Sequence, residues 1–430
     1  MFRRILIALN ILMLVTACAI PITRNHDINV AMERYEAAYR EIVRNDPLMA
    51  QNIGVMADVL ETVDRRYVDN VNPERLVDKA IEALKATADD SDGSFEKDPT
   101  TRALNAMLSS MDRFTGYMAP QSFSSYRESL DGHFIGLGVH IRMIDDSLTI
   151  MDLLKGSGAE AADLRKQDII THVDGAPIKG LTLHEARALL RGPENSVASL
   201  TIRRPSMNEP LQIAVTRKEV DITSVAHHVE GNIGYIRIYS FTRKTGPGVT
   251  VALKDIDRQL GDGLCGIVLD MRDNPGGLVS AAEIVADAFL DGGNIYAVEN
   301  RGHMMIARDA DRGDEARGTP IVVMLNKKSA SSSEIVAGAL KYQARAKLFG
   351  EQSFGKGLMQ SLMPLRNGGG LRLTTGRFTT GGGPTFHGVG LTPDIPHKDV
   401  VGESDAYQIS LAAKSLNCNT SLTTALNTAQ

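Results

Sequence analysis

Tryptophan is absent from the 430 residues, cysteine occurs three times, and Tyr and Phe number only 10 and 11. So few aromatic rings leave no row of stacking platforms for nucleic-acid bases. Excess positive charge is missing too: 47 Lys plus Arg face 52 Asp plus Glu, a net charge of −5. That excludes a strongly basic nucleic-acid binder and any general attraction to anionic lipid. Three cysteines do not make a disulfide framework. The apolar run 5–16 falls short of the roughly 20 residues a membrane helix needs.

Several catalytic signatures are also missing. There is no G-x-S-x-G, so a nucleophile elbow is unsupported. His184-Glu185 is followed by Ala188 where a zinc-binding helix needs its second His. Residues 350–356 read G-x-x-x-x-G-K, but Gly357 replaces the Ser/Thr that would hold magnesium. The residues after it alternate like a strand, where a P-loop needs a helix N-terminus. These exclusions remove a zinc-binding helix and a P-loop nucleotide site; no metal or cofactor is expected. Apolar residues at 43% and charged residues at 23% are ordinary for a globular protein, and at roughly 150 residues per domain the length suggests two or three domains.

Residues 1–19 read as an export signal: Arg3 and Arg4 precede an apolar stretch. Val15-Thr16-Ala17-Cys18 resembles a bacterial lipobox, in which Cys18 is lipidated and becomes the N-terminus. Ala17-Cys18-Ala19 also fits ordinary signal cleavage, which would leave a soluble exported protein. We favour the lipobox, because a lone Cys ending such a run has little other reason to be there. That places the chain on the periplasmic side of a bacterial cell envelope, anchored to the membrane by lipid. Cys265 opens an apolar run and reads as a small core residue. A bridge to Cys418 in the polar tail is compatible with an oxidising envelope.

Along the chain, residues 20–50 are polar with scattered apolar positions and suggest a loose helix. Helical spacing follows at Ile53, Met56, Leu60, Val63 and Tyr67, at Leu76, Ala80 and Leu84, and at Leu104, Met107, Leu108 and Met111. The first region, 20–130, is therefore read as helical to about Arg127. Its Met-rich stripes suit a core or a partner surface, making these helices the candidate interface of a homodimer. From Gly132 the texture changes to short alternations punctuated by Gly. Residues 137–144, 148–153, 169–173, 197–202 and 211–215 read as strands around one helix, 182–191, and form a small β-rich domain over 131–218. Over 219–400 strands alternate with helices: strands 233–238, 266–271 and 320–325, helices 248–260, 278–290 and 331–342. This implies an α/β layer with parallel strands. Asn367-Gly368 marks a hairpin. The tail, 401–430, carries little signal.

Two segments stand out. Ser329-Ala330-Ser331-Ser332-Ser333-Glu334 lies where a buried strand hands over to a helix. Ser331-x-x-Glu334 is a capping box. A Ser at a helix N-terminus is also placed where unpaired N–H groups and the positive dipole end favour a developing oxyanion. Phe354-Gly355-Lys356-Gly357 puts a Lys between glycines, which reads either as a solvated turn or as an amine buried by close backbone approach. A Lys acting as base must lose its charge, and burial promotes that. Ser plus Lys is a known dyad class.

These residues resemble the C-terminal processing peptidases, or tail-specific proteases. The motifs appear in order: Asn326 through Glu334 as N-x-x-S-A-S-x-S-E, then Ala337-Gly338-Ala339-Leu340, Arg345-Ala346, Phe354-Gly355-Lys356-Gly357-Leu358-Met359-Gln360, Leu371-Arg372-Leu373-Thr374-Thr375, and Gly390-Leu391-Thr392-Pro393-Asp394-Ile395. Upstream, Leu269-Asp270-Met271-Arg272-Asp273-Asn274-Pro275-Gly276-Gly277 and Met111-Asp112-Arg113-Phe114-Thr115-Gly116-Tyr117-Met118 also match, so the likeness spans about residues 50–398.

The resemblance implies an α/β and β multidomain protein: a helical N-terminal region, a PDZ domain and an α/β serine protease core of the crotonase/Clp-protease-like kind. It implies Ser331 as nucleophile, Lys356 as general base and Gln360 as the residue orienting the amine. Ser332 and Gly276 would supply oxyanion-hole N–H groups, with Gly277 the less favoured second donor. Asp273 stands where Asn is common. Ile135-Gly136-Leu137-Gly138-Val139 would hold a substrate's terminal carboxylate, with an apolar pocket lined by Leu183, Ala186 and Leu190. The implied partners are protein or peptide substrates with free C-terminal tails. A non-catalytic PDZ scaffold that captures tails is the alternative, and a small-molecule acyl-transfer enzyme a weaker third. Intact Ser331, Lys356 and Gln360 speak against the scaffold, and the PDZ domain against the third.

Overall fold

The computed structural model describes residues 26–89, 98–398 and 403–418; the export signal and Cys18 lie outside them. The described residues form two compact units, one comprising residues up to 65 with 72–107, the other 66–71 with everything from 108 on.

The first unit holds four helices, α1 (His26–Ile42), α2 (Met49–Arg66), α3 (Pro73–Asp89) and α4 (Pro99–Ser109). The helix read over 20–50 is present as α1, and it is regular rather than loose. Ile28, Ala31, Met32, Tyr35 and Tyr39 fall three to four residues apart and are all buried, a true amphipathic stripe among polar residues. The Tyr39 hydroxyl donates to Asp46 at 2.7 Å and lies 2.9 Å from the Thr100 hydroxyl.

The second unit opens with a short strand, β1 (Gly116–Met118), and α5 (Pro120–Asp131). The helical reading to Arg127 is therefore interrupted: β1 pairs antiparallel with residues 370–372. α5 stops at Gly132, whose φ of 89° suits glycine. β2 (His133–Gly136) then leads into a β-domain of β3 (Val139–Ile144), β4 (Ser147–Leu153), α6 (Gly158–Ala161), β5 (Ile169–Val173), β6 (Ala176–Pro177), α7 (Leu183–Leu190), β7 (Val197–Arg203) and β8 (Leu211–Thr216). The sheet order is β3-β4-β5-β7-β8. Leu148, Ile150, Ile170, Leu200 and Ile202 alternate inward under Ala186 and Leu190 of α7. The strand expected from 137 begins only at Val139, because Gly138 takes a φ of 77° and any Cβ there would meet Ser157 at 2.2 Å. The chain leaves through β9 (Lys218–Asp221), which pairs with β2 so that Gly136 faces Lys218 and His133 faces Asp221. Entry and exit thus form one two-stranded ribbon. Ion pairs Arg243–Asp131 and Lys244–Asp221 tie its base to the core.

The core comprises β10 (Val225–Glu230), β11 (Ile233–Ile238), α8 (Thr245–Leu260), β12 (Gly266–Asp270), α9 (Val279–Asp287), β13 (Asn294–Asn300), β14 (His303–Asp309), β15 (Ile321–Leu325), α10 (Ser332–Tyr342), β16 (Ala346–Gly350), β17 (Leu358–Pro364), β18 (Gly370–Thr380), β19 (Ile395–Pro396) and α11 (Asp405–Lys414). One sheet runs β10-β11-β12-β15-β16-β19, parallel from β11 onward. Its central strands β12 and β15 are buried at every position and apolar except for Asp270, because both of their faces are covered. Ile267, Leu269, Val323 and Leu325 point toward α8, α9 and α10, while Val268, Val322 and Met324 point toward α11. The second sheet carries the β17–β18 hairpin, with its turn at Asn367-Gly368.

The tail is the second correction. α11 packs Ala412 and Ala413 on the sheet, and Cys418 is disulfide-bonded to Cys265 across 153 residues of sequence. Cys265 is thus a cross-link rather than a plain core residue. Closing so long a loop removes on the order of 5 kcal/mol of unfolded-chain entropy in the chain-entropy picture.

Candidate active site

Two turns at the C-terminal ends of parallel strands build the site, where open α/β sheets place their ligands. The turn after β12 is residues 271–277; the turn after β15 is residues 326–331. They are stitched together. The Ser329 hydroxyl donates to the Met271 carbonyl at 2.8 Å, and the Asn274 carbonyl accepts from the Ala330 N–H and the Ser333 hydroxyl, each at 3.0 Å. The Ser332 hydroxyl donates to the Gly277 carbonyl at 3.0 Å.

Ser331 caps α10 with a φ of 58°. A non-glycine residue adopts that conformation only where its surroundings hold it. It opens onto a cleft of about 710 Å³ that Lys356 and Gln360 also line. Lys356 lies just before β17, not in the strand, so the even spacing expected to align it with Gln360 does not apply. The two side chains meet all the same: Lys356 Nζ donates to Gln360 Oε1 at 3.0 Å, and Gln360 Nε2 donates to the Phe114 carbonyl at 2.8 Å. The amine also sits 4.7 Å from the centre of the Phe114 ring. Burial, aided by the nearby Arg372 and Arg113 charges, pushes its pKa down to about 8. Among the described residues no hydrogen bond joins the Ser331 hydroxyl to the Lys356 amine; Lys356 rests on Gln360.

The expected oxyanion-hole residues differ in what their N–H groups already bond. The Gly276 N–H already donates to the Asn274 side chain at 2.9 Å. The Gly277 N–H has no acceptor among the described residues. The Ser332 N–H, at the first position of α10, has no intrahelical acceptor. Gly276 remains critical sterically: a Cβ there would lie 2.8 Å from Ser331 Cβ and 3.0 Å from Ser332 N. Asp273 adds little net charge near the hole, because Lys328 pairs with it at 3.1 Å and Arg237 lies 3.9 Å away.

Sequence reasoning missed the wider role of Glu334. Its Oε2 accepts from the N–H groups of Ser331 and Lys356, both at 2.8 Å. Its Oε1 accepts from the Ser353 hydroxyl and the Gly355 N–H, both at 2.6 Å. Ser353 Oγ itself accepts from the Leu391 N–H at 2.7 Å, so its proton must go to Glu334. Four donors leave no place for a proton on the carboxylate, although burial pushes its pKa upward. One buried anion therefore fixes the backbones of both Ser331 and Lys356. Its signals in the sequence are the capping-box spacing and its place at the end of the N-x-x-S-A-S-x-S-E motif, and neither points to residues 353–356.

A second cavity, of about 300 Å³, lies between β3 and α7 in the β-domain. Gly136, Leu137, Gly138, Val139 and Leu190 are among its lining residues. Ile135 does not; it lies in the ribbon opposite Glu219. Leu183 is not in the lining either, and Ala186 is buried beneath it. Arg187, Arg191 and His140 add a basic rim. The Leu137 and Gly138 N–H groups have no acceptor among the described residues.

Comparisons with known proteins agree with this architecture. Residues 232–397 match the model of peptidase family S41, and residues 149–204 that of the PDZ domain. The chain is 36% identical over 375 residues to a carboxy-terminal-processing protease of Bartonella bacilliformis, covering 86% of this chain and 81% of that one. It is 33% identical over 296 residues to a probable CtpA-like serine protease of Staphylococcus aureus, 68% of this chain and 59% of the relative's length. Among solved structures, the photosystem II D1 C-terminal processing protease superposes with a TM-score of 0.51 at 27% identity, over 85% of this chain and 97% of that one. The chain belongs to peptidase family S41 and is a serine-type peptidase of the carboxy-terminal-processing kind, with a PDZ domain in front of its protease core.

Proposed function

We propose that the protein is an endopeptidase that captures the free C-terminal tails of proteins or peptides in its PDZ groove and hydrolyses peptide bonds with a Ser331/Lys356 dyad. The observation that carries this reading is the half-buried Lys356 amine, pulled to about pH 8 and held 3.0 Å from Gln360, in the same cleft as a Ser at a helix N-terminus. A neutral Lys356 takes the Ser331 proton as Oγ attacks the scissile carbonyl. The Ser332 and Gly277 N–H groups receive the oxyanion, and the positive end of α10 adds to their effect. The ammonium then protonates the leaving amine, and Lys356 activates the water that hydrolyses the acyl-enzyme. Proton transfer requires the amine to move from its resting position toward Ser331 as substrate enters.

In the groove, the Leu137 and Gly138 N–H groups would bind the terminal carboxylate and the apolar lining the last side chain. Export to the bacterial cell envelope with lipid on Cys18 belongs to the same proposal. It predicts a mature chain that begins at an acylated Cys18, and a mass showing an unmodified Ile20 start overturns that part. Among the described residues no helix is long and apolar enough to cross a membrane.

The test is hydrolysis of a peptide or unfolded protein with an apolar C-terminus. Ser331→Ala, Lys356→Ala and Lys356→Arg are each expected to be inactive yet folded, because Arg does not deprotonate. Near-wild-type turnover by Lys356→Arg refutes the dyad.

A further inference from the structure

The C-terminal helix contacts the turn that supplies an oxyanion donor. Asp270, at the end of β12, is fully buried and saturated with donors. It accepts from the Tyr235 hydroxyl at 2.8 Å, from Arg237 Nη1 at 2.6 Å, and from Arg272 through its N–H at 2.9 Å and its Nη2 at 2.7 Å. Arg272 is itself only 5% exposed. Its remaining nitrogen, Nη1, turns away from Asp270 to α11, where it donates to Gln408 Oε1 and lies 3.2 Å from Asp405. A buried guanidinium with an unpaired N–H is costly, so Arg272 depends on α11 to complete its partners.

Arg272 also leads directly into the catalytic turn. Its carbonyl accepts from Arg237 Nη2 at 3.0 Å. The next residue, Asp273, holds a φ of 60° and donates its N–H to Asn326 Oδ1 at 3.0 Å. Gly276 and Gly277 follow within the same turn. α11 has only 10 residues, fewer than an isolated helix needs for stability in water. It lies antiparallel to β12 and is pinned at both ends. Gln408 meets Arg272 beyond the strand's C-terminal end, and Cys418 is bonded to Cys265 just before its first residue. Contact at that second pin is close: a Cβ on Gly266 would lie 2.7 Å from Leu416 and 3.4 Å from the Cys418 sulfur.

We propose that α11 is a strut for the oxyanion turn, with Gln408 as the positioning residue that holds Arg272, and that the Cys265–Cys418 disulfide keeps the strut seated so that its reduction lowers turnover. The inference rests on the reading that residues 272–277 supply an oxyanion donor. Reduction by an external dithiol gives two thiols and the oxidised dithiol; no group passes to substrate.

The experiment uses the full-length chain, an apolar-tailed peptide substrate, and a peptide aldehyde whose adduct with Ser331 carries the oxyanion. Gln408→Leu, Cys418→Ser and dithiothreitol treatment of wild type are each expected to lower kcat about tenfold or more, with KM changed by less than about twofold. Aldehyde affinity should fall in step with kcat, Gln408→Glu should restore most of the activity, and reoxidation should recover the wild type. Wild-type kcat and aldehyde affinity in Gln408→Leu overturn the strut. So does a loss of kcat that tracks an equal loss of tail binding and of the folded circular-dichroism signal. A wild type that hydrolyses nothing and ignores the aldehyde overturns the site assignment itself, and this inference with it.

Discussion

Replacing Glu334 with Gln keeps the shape of the side chain and removes its charge, and the outcome follows from the count of donors around it. Four donors converge on two oxygens, and Ser353 has no freedom to reverse its role because it already accepts from Leu391. An amide presents NH2 on one side, so two donors lose their acceptor whichever way it turns. At roughly 1.5–3 kcal/mol per charge-assisted bond, the penalty is about 3–6 kcal/mol. If half of it is felt in the relative placement of Ser331 and Lys356, kcat falls roughly tenfold to hundredfold. The charge has a separate effect of opposite sense. The Glu334 anion favours the ammonium form of Lys356, so neutralising it lowers the pKa of the base. The acid limb of the rate profile then moves to lower pH even as the plateau drops. The assay is kcat/KM against pH for both proteins, with thermal unfolding as a control for folding. A plateau within about twofold of wild type, or an acid limb displaced upward, refutes the reasoning.

For the wild type, hydrolysis is expected to rise with pH through about 8 as Lys356 becomes neutral; a flat profile from pH 6 to 9 argues against a Lys base. Gly276→Ala places a methyl 2.8 Å from Ser331 Cβ at a φ of 102°, and is expected to abolish turnover while tail binding persists, as peptide titration would show. Arg187 lies one helical turn before Arg191 on the groove rim, and about 4.5–6 Å of helix matches roughly two residues of an extended tail. Tails with Asp or Glu two residues before an apolar terminus should therefore bind more tightly than those with Lys, and Arg187→Glu should reverse the order by fluorescence anisotropy. C-terminal amidation should weaken every tail, because the terminal charge is lost.

Local patterns carried most of the architecture. The apolar runs at 266–271 and 320–325 are the two strands buried on both faces, and the Ser-rich and Gly-Lys-Gly segments end up lining one cleft. What escaped depended on contacts between distant residues. Gly276 and Gly277 are equivalent in sequence; only the fold brings the Asn274 side chain onto one N–H and leaves the other free. Glu334 reads as a helix cap because its bonds to residues 353–356 cross about 20 positions. The tail looked uninformative because α11 buries only Gln408, Ala412 and Ala413 completely, with Ile409 and Leu411 partly covered against the sheet, which is too weak a hydrophobic stripe to read. Phe114, under the Lys356 amine, carries no local sign that it will meet a residue more than 200 positions away.

The ribbon of β2 and β9 makes the PDZ domain a cartridge. Gly136 and Lys218 are cross-strand partners, and such partners stand only about 5 Å apart. A two-residue Asn-Gly turn spans that gap as a plain hairpin. Everything between them can then be lifted out, or exchanged for another binding module, without opening a path the core must close. The protease chemistry and the choice of tail are therefore free to diverge independently. A chain with 137–217 replaced by such a turn should fold with its cleft intact, lose discrimination between free and amidated tails, and still react with the peptide aldehyde at Ser331.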